Sequence, residues 1–256
     1  MSETIPWSKM LTAPAAEVYK QDRRSRVWRP EGTFELGGEP RTVVIKRYEY
    51  AGWRQWLSWW FRNHPVQREQ QAADRLAASG VKVLDLLAWG LVGTRGCLVT
   101  EQTGRSLQAW LEEASASRAE RRQVHEALVE IVTALVDGGW FFRDLKVANI
   151  LVDDSGGLRL IDTGSARTVG ELSREQVVRM LATLDWSARR AGATRHDRRR
   201  VFVHLMKACP QLGPAGPLVE ALRTREAEMA EQDRKNDQAR AARGESTEDD
   251  PDYPDV

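Results

Sequence analysis

The run FRDLKVANILV sets Asp144 and Asn149 in a D-x-x-x-x-N pattern, and LRLID places a second aspartate, Asp162, thirteen residues after Asn149. No other feature narrows the folds open to the chain as much. NILV and LRLID are short apolar runs joined by Asp153-Asp154-Ser155-Gly156-Gly157, a turn composition, so the two predict a β-hairpin. Upstream, TVVIK ends a β-branched strand at Lys46, and Glu69 lies on the helix predicted next.

These residue types suit one chemistry. Phosphoryl transfer from a nucleotide needs a cation on the phosphates, oxygen ligands for magnesium and an acid to orient the acceptor hydroxyl. Asp144 is placed to accept the hydroxyl proton, and Lys146, two residues on, to steady the moving phosphoryl group. Asn149 and Asp162 supply oxygen ligands for Mg²⁺, with Gly164 nearby to let the backbone turn. Lys46 matches the phosphate-gripping lysine of the V-A-I-K pattern, Glu69 is its partner, and the Asp144 to Asn149 spacing is that of a kinase catalytic loop. Each residue alone is a common surface type; the five in order, in agreeing strand, helix and hairpin contexts, carry the argument. One part is missing: no G-x-G-x-x-G separates the first two strand candidates. RPEGTFELGG is the best available loop, so a turn around Glu31 to Phe34 is expected over the phosphates, and no glycine is assigned to them.

Before Thr103 the pattern is sheet, helix, sheet. RVWRP, TFELGG and RTVVIKRYEY read as strands, Gln67 to Ser79 as a helix closed by Gly80, and VKVLDLLAWG and GCLVTEQ as two more strands. Helical stretches follow at Leu107 to Glu113, Ala119 to Val136, Ser173 to Leu184 and Asp197 to Ala208. The fold class is therefore α+β, divided as an N-terminal extension at 1–17, a sheet-rich lobe at 18–103, a reduced helical lobe at 104–222, and a charged helix with a disordered acidic tail at 223–256.

With 38 basic against 37 acidic residues the net charge is +1, which gives no overall attraction to nucleic acid. Cys97 and Cys209 lack metal-ligand spacing and read as apolar filler in a reducing compartment. No secretory leader or spanning apolar run is visible, so the expectation is a soluble cytoplasmic protein that touches a membrane face. That contact would use Trp53, Trp56, Trp59 and Trp60, which sit among arginines in GWRQWLSWWFRNHPVQR; the same segment also suits a helix packed on the sheet. Arg195, Arg198, Arg199 and Arg200 around Asp197 fit either an anionic acceptor or a solvated helix face.

REQQAADRLAASGV, LVTEQ, GWFFRDLKVANILV, LRLIDTGSAR and RHDRRRVF together resemble the lipopolysaccharide core kinases, which phosphorylate heptose or Kdo sugars, over about Val18 to Met206. The resemblance implies a bilobal protein-kinase-like fold, ATP and Mg²⁺ as cofactors, and a sugar or glycolipid hydroxyl as acceptor, which would make the membrane touched the inner membrane. It also implies that the backbone of residues 101–103 meets the adenine edge, which makes Glu101 and Gln102 nucleotide-contacting positions. Two positions depart from the usual pattern: Phe142 replaces a histidine, and Thr163 replaces an aromatic residue. Phe142 reads as a repacked core. The alternatives are a reduced protein kinase, disfavoured by the short segment from Gly164 to Ser173, and a kinase-fold nucleotide-binding scaffold.

Overall fold

The computed structural model describes residues 5–22, 25–48, 60, 64–93, 95–113 and 115–242. The chain divides into two compact units, one of residues 1–75 and 84–103, the other of residues 76–83 and 104–256.

In the first unit, helix α1 (Trp7–Thr12) precedes strands β1 (Ala15–Gln21), β2 (Ser25–Pro30), β3 (Phe34–Leu36), β4 (Glu39–Arg41) and β5 (Val43–Tyr48). Helix α2 (Pro65–Ala78), of which the residues up to Arg75 belong to this unit, and strands β6 (Leu86–Val92) and β7 (Arg95–Glu101) follow. An antiparallel sheet forms in the order β1-β2-β5-β7-β6. Val43, Ile45 and Val99 project to one face and pack with Met10, Trp28, Phe34 and Leu36, so period-two alternation builds the core. Lys46 and Tyr48, two apart on β5, share one face of that strand.

The loop expected over the phosphates requires a correction. β1 is the first strand of the sheet and pairs with β2, and between their ends the Asp22 N–H donates to the Ser25 carbonyl at 2.9 Å. The Ser25 N–H returns a bond to Asp22 Oδ1 at 2.6 Å. Glu31 to Phe34 instead follow β2 and lead into the β3–β4 hairpin, whose Phe34 and Leu36 are buried in the core. That turn is held by apolar burial, and it does not join the first two strands.

The second unit contains β8 (Arg105–Ser106), α3 (Leu107–Glu112), α4 (Arg118–Asp137), β9 (Trp140–Phe142), β10 (Ile150–Val152), β11 (Leu158–Leu160) and β12 (Ala166–Thr168). Helices α5 (Arg174–Arg190), α6 (Arg195–Ala208) and α7 (Ala215–Ala242) complete it. β10 pairs with β11 in the expected hairpin and with β8 on its other side. Gly104, at φ +61°, lets the chain pass against β10: a Cβ there would press on the Val152 carbonyl and lie 2.7 Å from its carbon.

Capping boxes start three of the helices: Ser117 with Glu120, Ser173 with Gln176, and Thr194 with Asp197. Val124, Leu128, Ile131, Val132 and Leu135 make the buried stripe of α4. Helix α7 is continuous across residue 222 and is docked as well as solvated. Asp233 on α7 accepts from Trp186 Nε1 at 3.2 Å and from Arg190 Nη1 at 3.0 Å on α5. Among the described residues no helix is long and apolar enough to cross a membrane.

Candidate active site

Each unit carries its own set of functional groups. In the first, Lys46 Nζ lies 2.9 Å from Glu69 Oε2, with side chains 17% and 7% exposed, so the predicted pair is formed and sheltered from water. The same carboxylate oxygen accepts the Tyr48 hydroxyl. Glu101 and Gln102 are engaged within their own unit. Glu101 Oε2 accepts from Arg41 Nη1 at 3.1 Å. The Gln102 N–H donates to the Thr42 carbonyl at 2.9 Å, and its side chain reaches Tyr19 at 3.5 Å. The Gln102 amide, one of the backbone groups expected to meet adenine, is therefore already bonded. Thr103 Oγ1, next along, is buried without a hydrogen-bond partner.

In the second unit the loop from Arg143 to Asn149 rests on alternating burial. Leu145 and Val147 are fully buried, which turns Asp144 and Lys146 toward the more open side. Asn149 Nδ2 donates to the Asp144 carbonyl at 2.9 Å, so one side chain braces the loop while its amide oxygen remains the metal-ligating type. The Ile161 N–H donates to the Asn149 carbonyl at 3.0 Å, joining the end of β11 to the loop beside Asp162. Asp162 adopts φ +52°, ψ +47°, and is the one non-glycine residue with positive φ among those described. Left-handed backbone costs an L residue on the order of 1 kcal/mol, and such strain gathers at functional positions.

The loop's backbone donors are satisfied by side chains from neighbouring elements. The Asp144 N–H donates to Ser165 Oγ at 3.3 Å, the Val147 N–H to Ser187 Oγ at 3.1 Å, and the Phe142 N–H to Met180 Sδ at 3.4 Å. Phe142 is completely buried and pairs with Ala166 between β9 and β12, and Thr163 is also buried. Arg143 grips Asp144 itself, Nε to Oδ1 at 3.2 Å and Nη2 to Oδ2 at 3.3 Å. The carboxylate raises the Arg143 pKa. Asp144 is 45% exposed on its side chain and retains further acceptor sites for a hydroxyl proton.

Asn149 and Asp162 supply the hard oxygens that Mg²⁺ prefers. Among the described residues no cluster of three or more His, Cys, Asp or Glu could cage a cation. Mg²⁺ held by one carboxylate, one amide and the phosphates of its nucleotide needs no such cage.

Residues 40–193 match the protein kinase domain family, well over half of the chain. The chain belongs to that family. No curated protein matches it significantly. Lys46, Glu69, Asp144, Asn149 and Asp162 all fall within the matched residues, and the protein is a phosphotransferase that uses an alcohol group as acceptor.

Of the groups outside these parts, the arginine cluster is divided. Asp197 is buried and bonded to Thr194, Arg121 and His125, and Arg198 pairs with Asp185 at 2.5 Å. Arg195 and Arg199 stay exposed. Trp53, Trp56 and Trp59 lie outside the described residues, and Trp60 is 72% exposed. Sequence reasoning missed Tyr48, Ser165 and Ser187, because a hydroxyl that accepts a loop amide or touches a carboxylate has no signature spacing.

Proposed function

We propose that the chain transfers the γ-phosphate of ATP to a sugar hydroxyl of a glycolipid, with a heptose or Kdo of the lipopolysaccharide inner core as acceptor class. The observation that carries this reading is the brevity of the segment after Asp162. A 3₁₀ turn at Thr163–Ser165 leads straight into β12 (Ala166–Thr168), and α5 is already capped by Ser173. That leaves little chain for an activation segment of the kind that receives a peptide. The motif resemblance to the core kinases supports the same acceptor, and exposed Arg195 and Arg199 suit one that carries phosphates or carboxylates.

In this reading Asp144 accepts the sugar hydroxyl's proton, Lys146 steadies the transferring phosphoryl group, Lys46 grips the nucleotide phosphates, and Asn149 and Asp162 hold Mg²⁺. The work is done in the cytoplasm at the inner membrane face, where such acceptors are assembled.

The test uses γ-labelled ATP, Mg²⁺ and membranes from a strain lacking the protein, with the wild type and Asp144→Asn compared. Label in the glycolipid fraction that disappears with Asp144→Asn is the expected result. Asp144-dependent label found in protein alone would replace this reading with that of a protein kinase.

A further inference from the structure

We propose that Tyr48 is the positioning residue that holds the Lys46–Glu69 pair closed, by its hydroxyl on Glu69 and its ring against His64. The inference rests on the reading that Lys46 grips nucleotide phosphates. Lys46 and Tyr48 leave the same face of β5, and both donate to one atom, Glu69 Oε2. Lys46 Nζ also lies 5.2 Å from the centroid of the Tyr48 ring, within cation–π range. A carboxylate only 5% exposed depends on its donors, because a buried oxygen that loses a partner has no water to replace it.

The ring adds a second attachment. Tyr48 meets His64 edge to face, with centroids 6.2 Å apart and planes at 84°. His64 immediately precedes α2, the helix that carries Glu69, and acts as its cap. Its Nδ1 accepts the Val66 N–H at 3.2 Å, and its own N–H donates to Gln67 Oε1 at 3.4 Å, the reciprocal pattern of a capping box. Burial, with Arg68 nearby, lowers the His64 pKa, which favours the neutral ring that a capping acceptor requires. Gly96 on β7 makes room for that ring, since a Cβ there would lie 2.6 Å from Val66 Cγ2 and closer still to His64.

Tyr48 thus binds α2 at its cap and again at residue 69. The pose of Glu69, and through it of the Lys46 ammonium, is set inside one unit by a strand residue.

Calorimetric titration of the full chain with Mg²⁺-adenylyl-imidodiphosphate and, separately, with adenosine tests this. Tyr48→Phe keeps the ring and removes only the hydroxyl. It should weaken the phosphate-bearing ligand by about tenfold or more, the worth of one hydrogen bond to a charged group, and leave adenosine unchanged. In a Glu69→Gln background Tyr48→Phe should add nothing, because the two act as one unit. Equal weakening of both ligands, losses that multiply with Glu69→Gln, or no loss at all would overturn the role. Lys46→Met separates the premises. If it leaves the nucleotide bound as in wild type, the phosphate-gripping reading falls and this inference with it; if it weakens binding while Tyr48→Phe does not, only the role of Tyr48 falls.

Discussion

Asp197→Ala removes the centre of a buried polar network and tests whether this residue is structural. Asp197 is 7% exposed. Its Oδ2 accepts from Thr194 Oγ1 at 2.6 Å, the Thr194 N–H at 3.2 Å and Arg121 Nη1 at 3.3 Å, and its Oδ1 faces His125 Nε2 at 3.4 Å. Removing one partner of a buried ion pair costs roughly 3–5 kcal/mol. The low end applies, because Arg121 also donates to the Ala116 carbonyl and lies over Trp110. Loss of the reciprocal cap adds on the order of 0.5–1 kcal/mol. The sum, about 3–4 kcal/mol, lowers the melting temperature of a chain this long by roughly 10 °C. Burial works to raise the Asp197 pKa, yet Thr194, His125 and Arg121 together hold it below the usual carboxylate value. The folded carboxylate therefore releases its proton more readily than the unfolded one. Its contribution is complete above about pH 4 and is lost as pH falls through the folded pKa. Urea unfolding at neutral pH should give the full loss for Asp197→Ala, and the gap between variant and wild type should narrow in acid. A loss under about 0.5 kcal/mol, the range of ordinary surface changes, would refute the network argument.

Asp144→Asn should lower phosphate transfer by a thousandfold or more, on the order expected for loss of a general base, while Mg²⁺-nucleotide binding by calorimetry stays near wild type. Asp162→Asn should instead raise the Mg²⁺ concentration needed for half-maximal nucleotide binding, read by titrating the metal at fixed nucleotide. Burial and the neighbouring Asp185 carboxylate push the Glu226 pKa up to about 7. An acid whose folded pKa is raised is more protonated folded than unfolded, so it costs stability as pH rises from about 4.5 to 7; Glu226→Gln should flatten that limb for α7 by on the order of 1 kcal/mol in hydrogen exchange. Gly104→Ala meets both a positive φ and the Val152 carbonyl, so a fall of more than 1 kcal/mol in urea unfolding is expected.

What could be read from the sequence follows from where side chains are buried. RTVVIKRY, NILV and LRLID announce β5, β10 and β11 because each strand has a buried apolar face. β1 gives no such signal: from Ala16 to Tyr19 every side chain is exposed, so the first sheet strand resembles loop in the sequence and RVWRP reads as the opening strand. TFELGG shows its alternation plainly, with Phe34 and Leu36 buried about exposed Glu35, but alternation cannot say which strand is the partner. Likewise α7 has polar composition throughout, and its attachment to α5 rests on Asp233, whose two partners lie more than forty residues away.

The site shows the same division more sharply. Asp144, Asn149 and Asp162 were legible because chemistry fixes both residue type and spacing along one short piece of chain. The Lys46–Glu69 pair was legible because a strand-end lysine before a helix has few acids within reach. What supports them was not. The αL backbone of Asp162 is invisible in a sequence that places an ordinary aspartate at a strand end. Tyr48, two residues past Lys46, has no spacing that sets it apart in the sequence, and His64 shares no motif with the other three histidines. Their roles exist only once β5 and α2 lie side by side and bring Tyr48 to both His64 and Glu69. The groups expected to meet substrate are thus written in the sequence as a motif, while those that aim them are written as packing. Substitutions at Tyr48 or Ser187 should consequently change how well the motif works while leaving it intact on the page.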